Sequence, residues 1–226
     1  MINKIQEALK HEEHAMGVFL DIQGAFDNIP IKSIKRALNK TAAKGMVADW
    51  IINMISNRKI ELKWGNSKIN RKIEKGCPQG GVLSPFLWNL VLDDLLQKFN
   101  NSDNIQAFAD DLSLLSIGKT QYGIINNTRN IINKIMKWCK ENGLQISTLK
   151  TKVIYWSKTK NKNHPKHIQI DGQKIEISKS VKYLGVIIDN KLNWNEHIQT
   201  TVNKCKKAYS LQKEPSAING EYHQNK

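Results

Sequence analysis

Residues 105–117 read IQAFADDLSLLSI: two apolar runs, Ile105–Ala109 and Leu112–Ile117, meet at the adjacent acids Asp110 and Asp111. Short β-prone runs around a two-residue polar interruption predict an antiparallel hairpin with the acids at its tip. Upstream, the run Met16–Leu20 ends directly on a third acid, Asp21. A bare carboxylate is costly to bury, so acids that close apolar strands call for cations or a wet cleft. Carboxylate oxygens on two neighbouring strands suit a pair of divalent ions such as magnesium. Asp is also an ordinary turn residue, and spacing alone leaves both readings open.

Outward from the hairpin, periodicity predicts helices over 2–13, 30–38, 46–57, 84–98, 120–141 and 195–210. Pro30 stands at the first turn of the second, Ser84 is the expected N-cap of the fourth, and Asn142–Gly143 stops the fifth. The fourth helix is expected to bury Phe86, Leu87, Leu90, Val91 and Leu95. Strands are predicted over 59–64 and 68–74 around Gly65–Asn66, and over 153–157, 168–170, 174–177 and 182–188. Helices mixed irregularly with short strands read as α+β, not as a doubly wound parallel sheet.

The chain has 226 residues, a formal charge of +15 and a pI near 9.7, and 40% of its residues are hydrophobic. That supports one sizeable domain with a real core and points to a polyanionic partner. Only Arg36, Arg58, Arg71 and Arg129 are arginines, and the excess is lysine. Lysine grips phosphate as a point charge, which fits backbone contact better than base readout. The apolar runs are too short to cross a bilayer, and the first residues lack a signal peptide's apolar centre. Three cysteines without a CxxC pair fit neither a zinc knuckle nor a disulfide scaffold and indicate a reducing, intracellular setting, nuclear or cytoplasmic.

Five stretches together resemble the reverse transcriptase domain of non-LTR (LINE-like) retrotransposons. FLDIQGAFDNIP at 19–30 is similar to the first palm motif and KGCPQGGVLSPFLWNLVLDDLL at 75–96 to the second. FADD at 108–111 stands where YADD is usual. GLQISTLKTKVI at 143–154 and KYLGVIIDNKLNWNEHI at 182–198 are similar to the fourth and fifth. The resemblance implies a right-handed polymerase palm, with helices packed on an antiparallel sheet. It implies an RNA template, a DNA primer and deoxynucleoside triphosphates as partners, and no membrane. Asp21 and Asp110 would be the shared ligands of two Mg2+ ions, with Asp111 a supporting third. Phe26 would crowd the sugar 2′ position, the Gln79–Gly80–Gly81 loop would approach the nucleotide, and Lys150 would meet its phosphates. Asp27 is expected to make a structural hydrogen bond, and Cys77 to be structural. Tyr183, Trp194, Lys204, Lys206 and Lys207 would suit the primer or template backbone.

A complete enzyme of this family carries a fingers segment longer than the twenty residues before Asp21. The expected organisation is therefore a partial palm over 1–177 with the fingers largely missing, a primer grip and start of thumb over 178–212, and an irregular tail over 213–226. Exposed apolar surface is expected with it. The alternative reading is a catalytically inactive palm remnant that still binds nucleic acid.

Overall fold

The computed structural model describes residues 1–99, 104–159 and 164–213. Helix α1 (Ile2–Lys10) buries Ile5 and Ala8 and leads into strand β1 (His14–Asp21), whose six inner residues are all buried. After the single turn α2 (Ala25–Asn28) come α3 (Ile31–Leu38) and α4 (Met46–Ser56). A hairpin of β2 (Lys59–Trp64) and β3 (Ser67–Lys72) follows, then α5 (Leu83–Leu96). The acidic hairpin is β4 (Ile105–Phe108) and β5 (Asp111–Gly118), and the long helix α6 (Gln121–Glu141) starts behind the side-chain cap of Thr120. Strands β6 (Lys152–Trp156), β7 (His167–Ile170) and β8 (Gln173–Ser178) complete the main sheet. Strands β9 (Ser180–Tyr183) and β10 (Val186–Asp189) precede α7 (Asn195–Lys213).

The six-stranded sheet runs β4-β5-β1-β6-β8-β7. It is antiparallel except where β6 lies parallel to β8, a mixed sheet in place of the purely antiparallel one expected. The even residues of β1, from Met16 to Leu20, join the helical core with Trp88, Leu92, Ile132, Ile135 and Trp138. Its odd face is also buried. There the Trp156 ring covers Gly17, where an added Cβ would fall 2.9 Å from the indole. Burial on both faces explains why β1 reads as a continuous apolar run and not as an alternating one. The fold is α+β, with helices packed on a sheet.

Two compact units divide the chain, Met1–Lys179 and a second starting at Ser180. In the second, the strand expected over 182–188 is broken into a tight hairpin. Leu184 (φ 46°) and Gly185 (φ 84°) both take the left-handed conformation that two-residue hairpin turns require. Asp189 then accepts hydrogen bonds from the amides of Lys191, Asn193 and Trp194 at 2.9, 3.2 and 2.8 Å, organising the entry to α7. Burial alone would raise its carboxyl, yet those amides hold it below the usual carboxylate range. Lys204, Lys206 and Lys207 are exposed on α7.

Two local expectations are corrected. Ser84 is not the cap of α5: Val82 already has helical dihedrals, and the buried Ser84 hydroxyl instead donates to the Pro78 carbonyl at 2.6 Å. Phe86 is half exposed because the helix turns Leu87, Trp88, Val91 and Leu95 inward instead. Exposed apolar side chains occur as expected, with Met46, Val47 and Trp50 more than half exposed on α4. The expected irregular tail lies, from residue 214 on, outside the described residues.

Candidate active site

The antiparallel pairing of β1 with β5 sets Asp21 directly opposite Asp111. Cross-strand partners carry their side chains on the same face, so these two carboxylates are sheet-face neighbours. Asp110 occupies the two-residue turn with Ala109, whose φ of 52° is the left-handed value such a turn demands. Its carbonyl accepts the Ile22 amide at 3.2 Å, which fastens the turn to the end of β1. The three acids named from the sequence therefore stand at one end of two adjacent central strands.

Their mutual repulsion is visible at Asp111. Burial first, then the charges of Asp110 and Asp21, push its carboxyl above the ordinary range against the opposing pull of Lys150. For an acid raised in this way, the folded state binds the proton more tightly than the unfolded state. Stability is therefore lost as pH rises from the unfolded toward the folded pKa, and it stays lower at neutral pH. Asp111→Asn removes that charge and is expected to raise the melting temperature of the metal-free protein at pH 7, with the gain shrinking near pH 3; thermal unfolding followed at both pH values checks it.

Lys150 Nζ lies 3.2 Å from Asp21 Oδ1. Its position follows from a turn anchored on the same strand. The Ser147 amide donates to the Asp21 carbonyl at 2.8 Å, and both the amide and hydroxyl of Thr151 donate to the Ser147 carbonyl. Among the described residues no three Asp, Glu, His or Cys side chains form a group ready to hold a metal ion as they stand. The donor set nevertheless suits a hard cation, since it consists of carboxylate oxygens that repel one another and already draw an ammonium group.

The loop over 75–81 is laced onto α2 and the residues after it. The Cys77 amide donates to the Phe26 carbonyl and the Gly76 amide to the Ile29 carbonyl, each at 2.7 Å, while Lys75 Nζ reaches Asn28 Oδ1 at 2.7 Å. The Arg58 guanidinium donates to the carbonyls of Lys75 and Gly76. Gln79 Nε2 contacts both Asp27 oxygens, at 2.9 and 2.8 Å, so the structural hydrogen bond expected of Asp27 orients the Gln79 amide. Gly80 (φ 79°) faces open space. Cys77 is buried, and burial pushes its thiol up, away from reactivity.

Gly76 is the tightest point of the loop, with φ at 82° and a would-be Cβ 2.5 Å from the Asp27 carbonyl oxygen. The three nearest atoms, the Asp27 carbonyl oxygen and carbon and the Phe26 carbonyl oxygen, all belong to the backbone and not to a flexible side chain. Gly76→Ala is expected to cost about 2 kcal/mol or more, from the left-handed backbone and the clash together. A shift of the urea midpoint measures it.

One residue of the site does not stand out in the sequence. Trp88, fully buried on α5, donates its indole N–H to the Ala109 carbonyl at 2.6 Å and packs against Phe26 at 5.9 Å between ring centroids. It thereby joins the acidic turn, the aromatic of α2 and the helix behind the glycine loop. Phe108, in contrast, is 62% exposed.

A family model described as reverse transcriptase (RNA-dependent DNA polymerase) matches residues 1–188. The chain is 26% identical over 186 residues to a retrovirus-related Pol polyprotein from the type-1 retrotransposable element R1 of Bradysia coprophila, covering 82% of the chain and 18% of that protein. It is 24% identical over 206 residues to the RNA-directed DNA polymerase from mobile element jockey of Drosophila melanogaster, covering 88% and 22%. The chain thus spans about a fifth of the length of these relatives. Among solved structures, apo telomerase from Candida tropicalis superposes with a TM-score of 0.59 at 10% identity, over 86% of this chain and 35% of that one. That likeness concerns the fold, a palm of helices packed on a sheet. With the family model covering most of its length, the chain belongs to the reverse transcriptase (RNA-dependent DNA polymerase) family, as a domain homologous to those of non-LTR retrotransposons.

Proposed function

We propose that this chain is the RNA-directed DNA polymerase domain of a non-LTR retrotransposon, a nucleotidyltransferase that adds deoxynucleotides to a primer 3′-hydroxyl on an RNA template. The observation that carries the reading is the convergence of Asp21, Asp110 and Asp111 at the end of β1 and the β4–β5 turn. Asp21 and Asp110 would hold two Mg2+ ions, with Asp111 supporting them. When bound, the metal supplies charge neutralisation on the reacting phosphate and a more acidic attacking hydroxyl.

The chain's own residues supply the positioning. Phe26, held against Trp88, limits the room at the sugar and so favours deoxynucleotides. Gln79 and Gly80 present an oriented amide and an unobstructed backbone to the nucleotide. Lys150 brings a positive charge to Asp21, where it would meet the phosphates and give a proton to the departing pyrophosphate. No helix among the described residues is long and apolar enough to cross a membrane.

The test is divalent-ion-dependent extension of a labelled DNA primer on an RNA template by the 226-residue chain. Incorporation of deoxynucleotides, lost when the ion is chelated, supports the proposal. Tight binding of the primer–template with no incorporation at any ion concentration favours the inactive remnant.

A further inference from the structure

A cleft of about 920 Å3 is lined by the last turns of α6, the connection over 143–149 and the β7–β8 turn. Small-molecule sites span roughly 300–1,000 Å3, so this one has room for a drug-sized ligand. None of the three carboxylates described above lines it. Its apolar lining comes from the buried Cys139, Leu144 and Ile170 and the half-buried Met136 and Ile146. Leu149 also lines it and is 91% exposed, an apolar side chain left in water beside an apolar cavity. Lys137 and Lys140 lie three residues apart on α6, a spacing at which both ammonium groups can meet one anion. Neither forms an ion pair among the described residues, and the neighbouring Glu141 is taken by Lys98 at 3.5 Å. Asp171, in the β7–β8 turn, is the one acid of the lining. The carbonyls of Trp138, Cys139 and Lys140 already accept the amides of Asn142, Leu144 and Gly143, which blunts the negative end of the helix toward an anion.

The connection that walls the cleft also carries Lys150 to Asp21. The Gln23 amide donates to the Gln145 carbonyl and the Ser147 amide to the Asp21 carbonyl, each at 2.8 Å, while Ile22 bridges Ile146. Three residues beyond Ser147, Lys150 Nζ lies 3.2 Å from Asp21 Oδ1. A ligand seated against residues 144–149 therefore bears on the segment that sets this ion pair. We infer that the cleft is a binding site for a small organic anion, an apolar body with a single phosphate, sulfonate or carboxylate group, coupled through residues 145–150 to the Asp21–Lys150 pair. Two lysines against one acid suit one such group and not a triphosphate. The site goes beyond the polymerase reading and stands without it, since the ion pair is in place whatever reaction the chain performs.

The probe for the test is anilinonaphthalene sulfonate, an apolar ring system with one sulfonate, and the amide resonances of the isotope-labelled chain report where it binds. Saturable shifts are expected at Gln145 and Ser147, with Ile22 and Lys150 following. Replacing both Lys137 and Lys140 by Gln is expected to weaken binding about 2- to 30-fold, the combined effect of two exposed ion pairs. Replacing both Lys44 and Lys119, exposed lysines elsewhere, by Gln is expected to leave it unchanged. Gln173→Trp, which fills the cleft from an exposed position of β8, is expected to abolish it. The same spectra verify that each variant folds. Shifts confined to α4 or to the β2–β3 hairpin, where apolar side chains are exposed, overturn the site, as does equal weakening by the two lysine pairs. Shifts that stop at Ser147 and leave Ile22 and Lys150 unmoved overturn the coupling. Displacement of the probe by an equal concentration of deoxyadenosine triphosphate overturns the ligand class.

Discussion

Asp21→Asn is expected to weaken magnesium binding in the presence of primer–template by roughly 100-fold or more, and to remove primer extension with it. The size follows from losing a direct carboxylate ligand, since even outer partners of metal ligands cost about 10- to 100-fold when removed. The fold is expected to survive. Asn has the same shape, the hydrogen bond between the Asp21 carbonyl and the Ser147 amide remains, and the lost ion pair with the exposed Lys150 is offset by the relieved repulsion toward Asp111. A pair with one exposed partner contributes at most about 1 kcal/mol, against the roughly 3 kcal/mol that a 100-fold weakening represents. Calorimetric titration beside a thermal melt separates the two effects: binding collapses while the melting temperature barely moves.

The second large effect is on stability. Trp88→Ala empties a fully buried indole site and leaves the Ala109 carbonyl without its donor, a loss of about 3–5 kcal/mol. At about 2–4 °C per kcal/mol for a chain of this size, the melting temperature falls by about 10 °C. Trp88→Phe keeps most of the apolar volume and the ring beside Phe26 but not the N–H. It is expected to cost less, about 1–3 kcal/mol, while loosening the Ala109–Asp110 turn. If Trp88→Phe matched the unaltered protein in both melting temperature and magnesium affinity, the indole would be filling space and not holding the acidic turn.

Much of this architecture can be read from the chain because its signals are local. The apolar run ending at Asp21 and the run of β5 after Asp111 are continuous because both faces of those strands are buried, whereas the edge strand β4 alternates between half-buried and exposed residues. The 3.6-residue spacing of Ile124, Ile131, Ile135 and Trp138 marks α6 before any of its packing partners is known. What escapes a reading of the chain depends on partners distant in sequence. Trp88 reads as one more apolar residue of α5, and nothing local says that its N–H reaches a carbonyl twenty-one residues on. Ser84 has the composition of a helix cap, yet the Gly81 turn starts the helix early and sends the hydroxyl to Pro78. The break at Leu184–Gly185 is hidden inside an apolar stretch because a single glycine suffices to reverse it. The parallel pairing of β6 with β8 likewise depends on where the chain returns, not on strand composition.

The candidate site divides the same way. The three acids are legible as residues out of place in apolar strands, and their meeting at one end of β1 and β5 follows from a register that burial enforces. The orientation of Gln79 by Asp27 is a pairing across fifty-two residues that only the folded loop reveals.

The central claim is that these carboxylates form a divalent-ion site in this chain, and magnesium titration by calorimetry with primer–template present tests it most directly, using Asp110→Asn as the comparison. The account predicts duplex-dependent binding in the unaltered chain that disappears in the variant. Equal weak binding in both would contradict it.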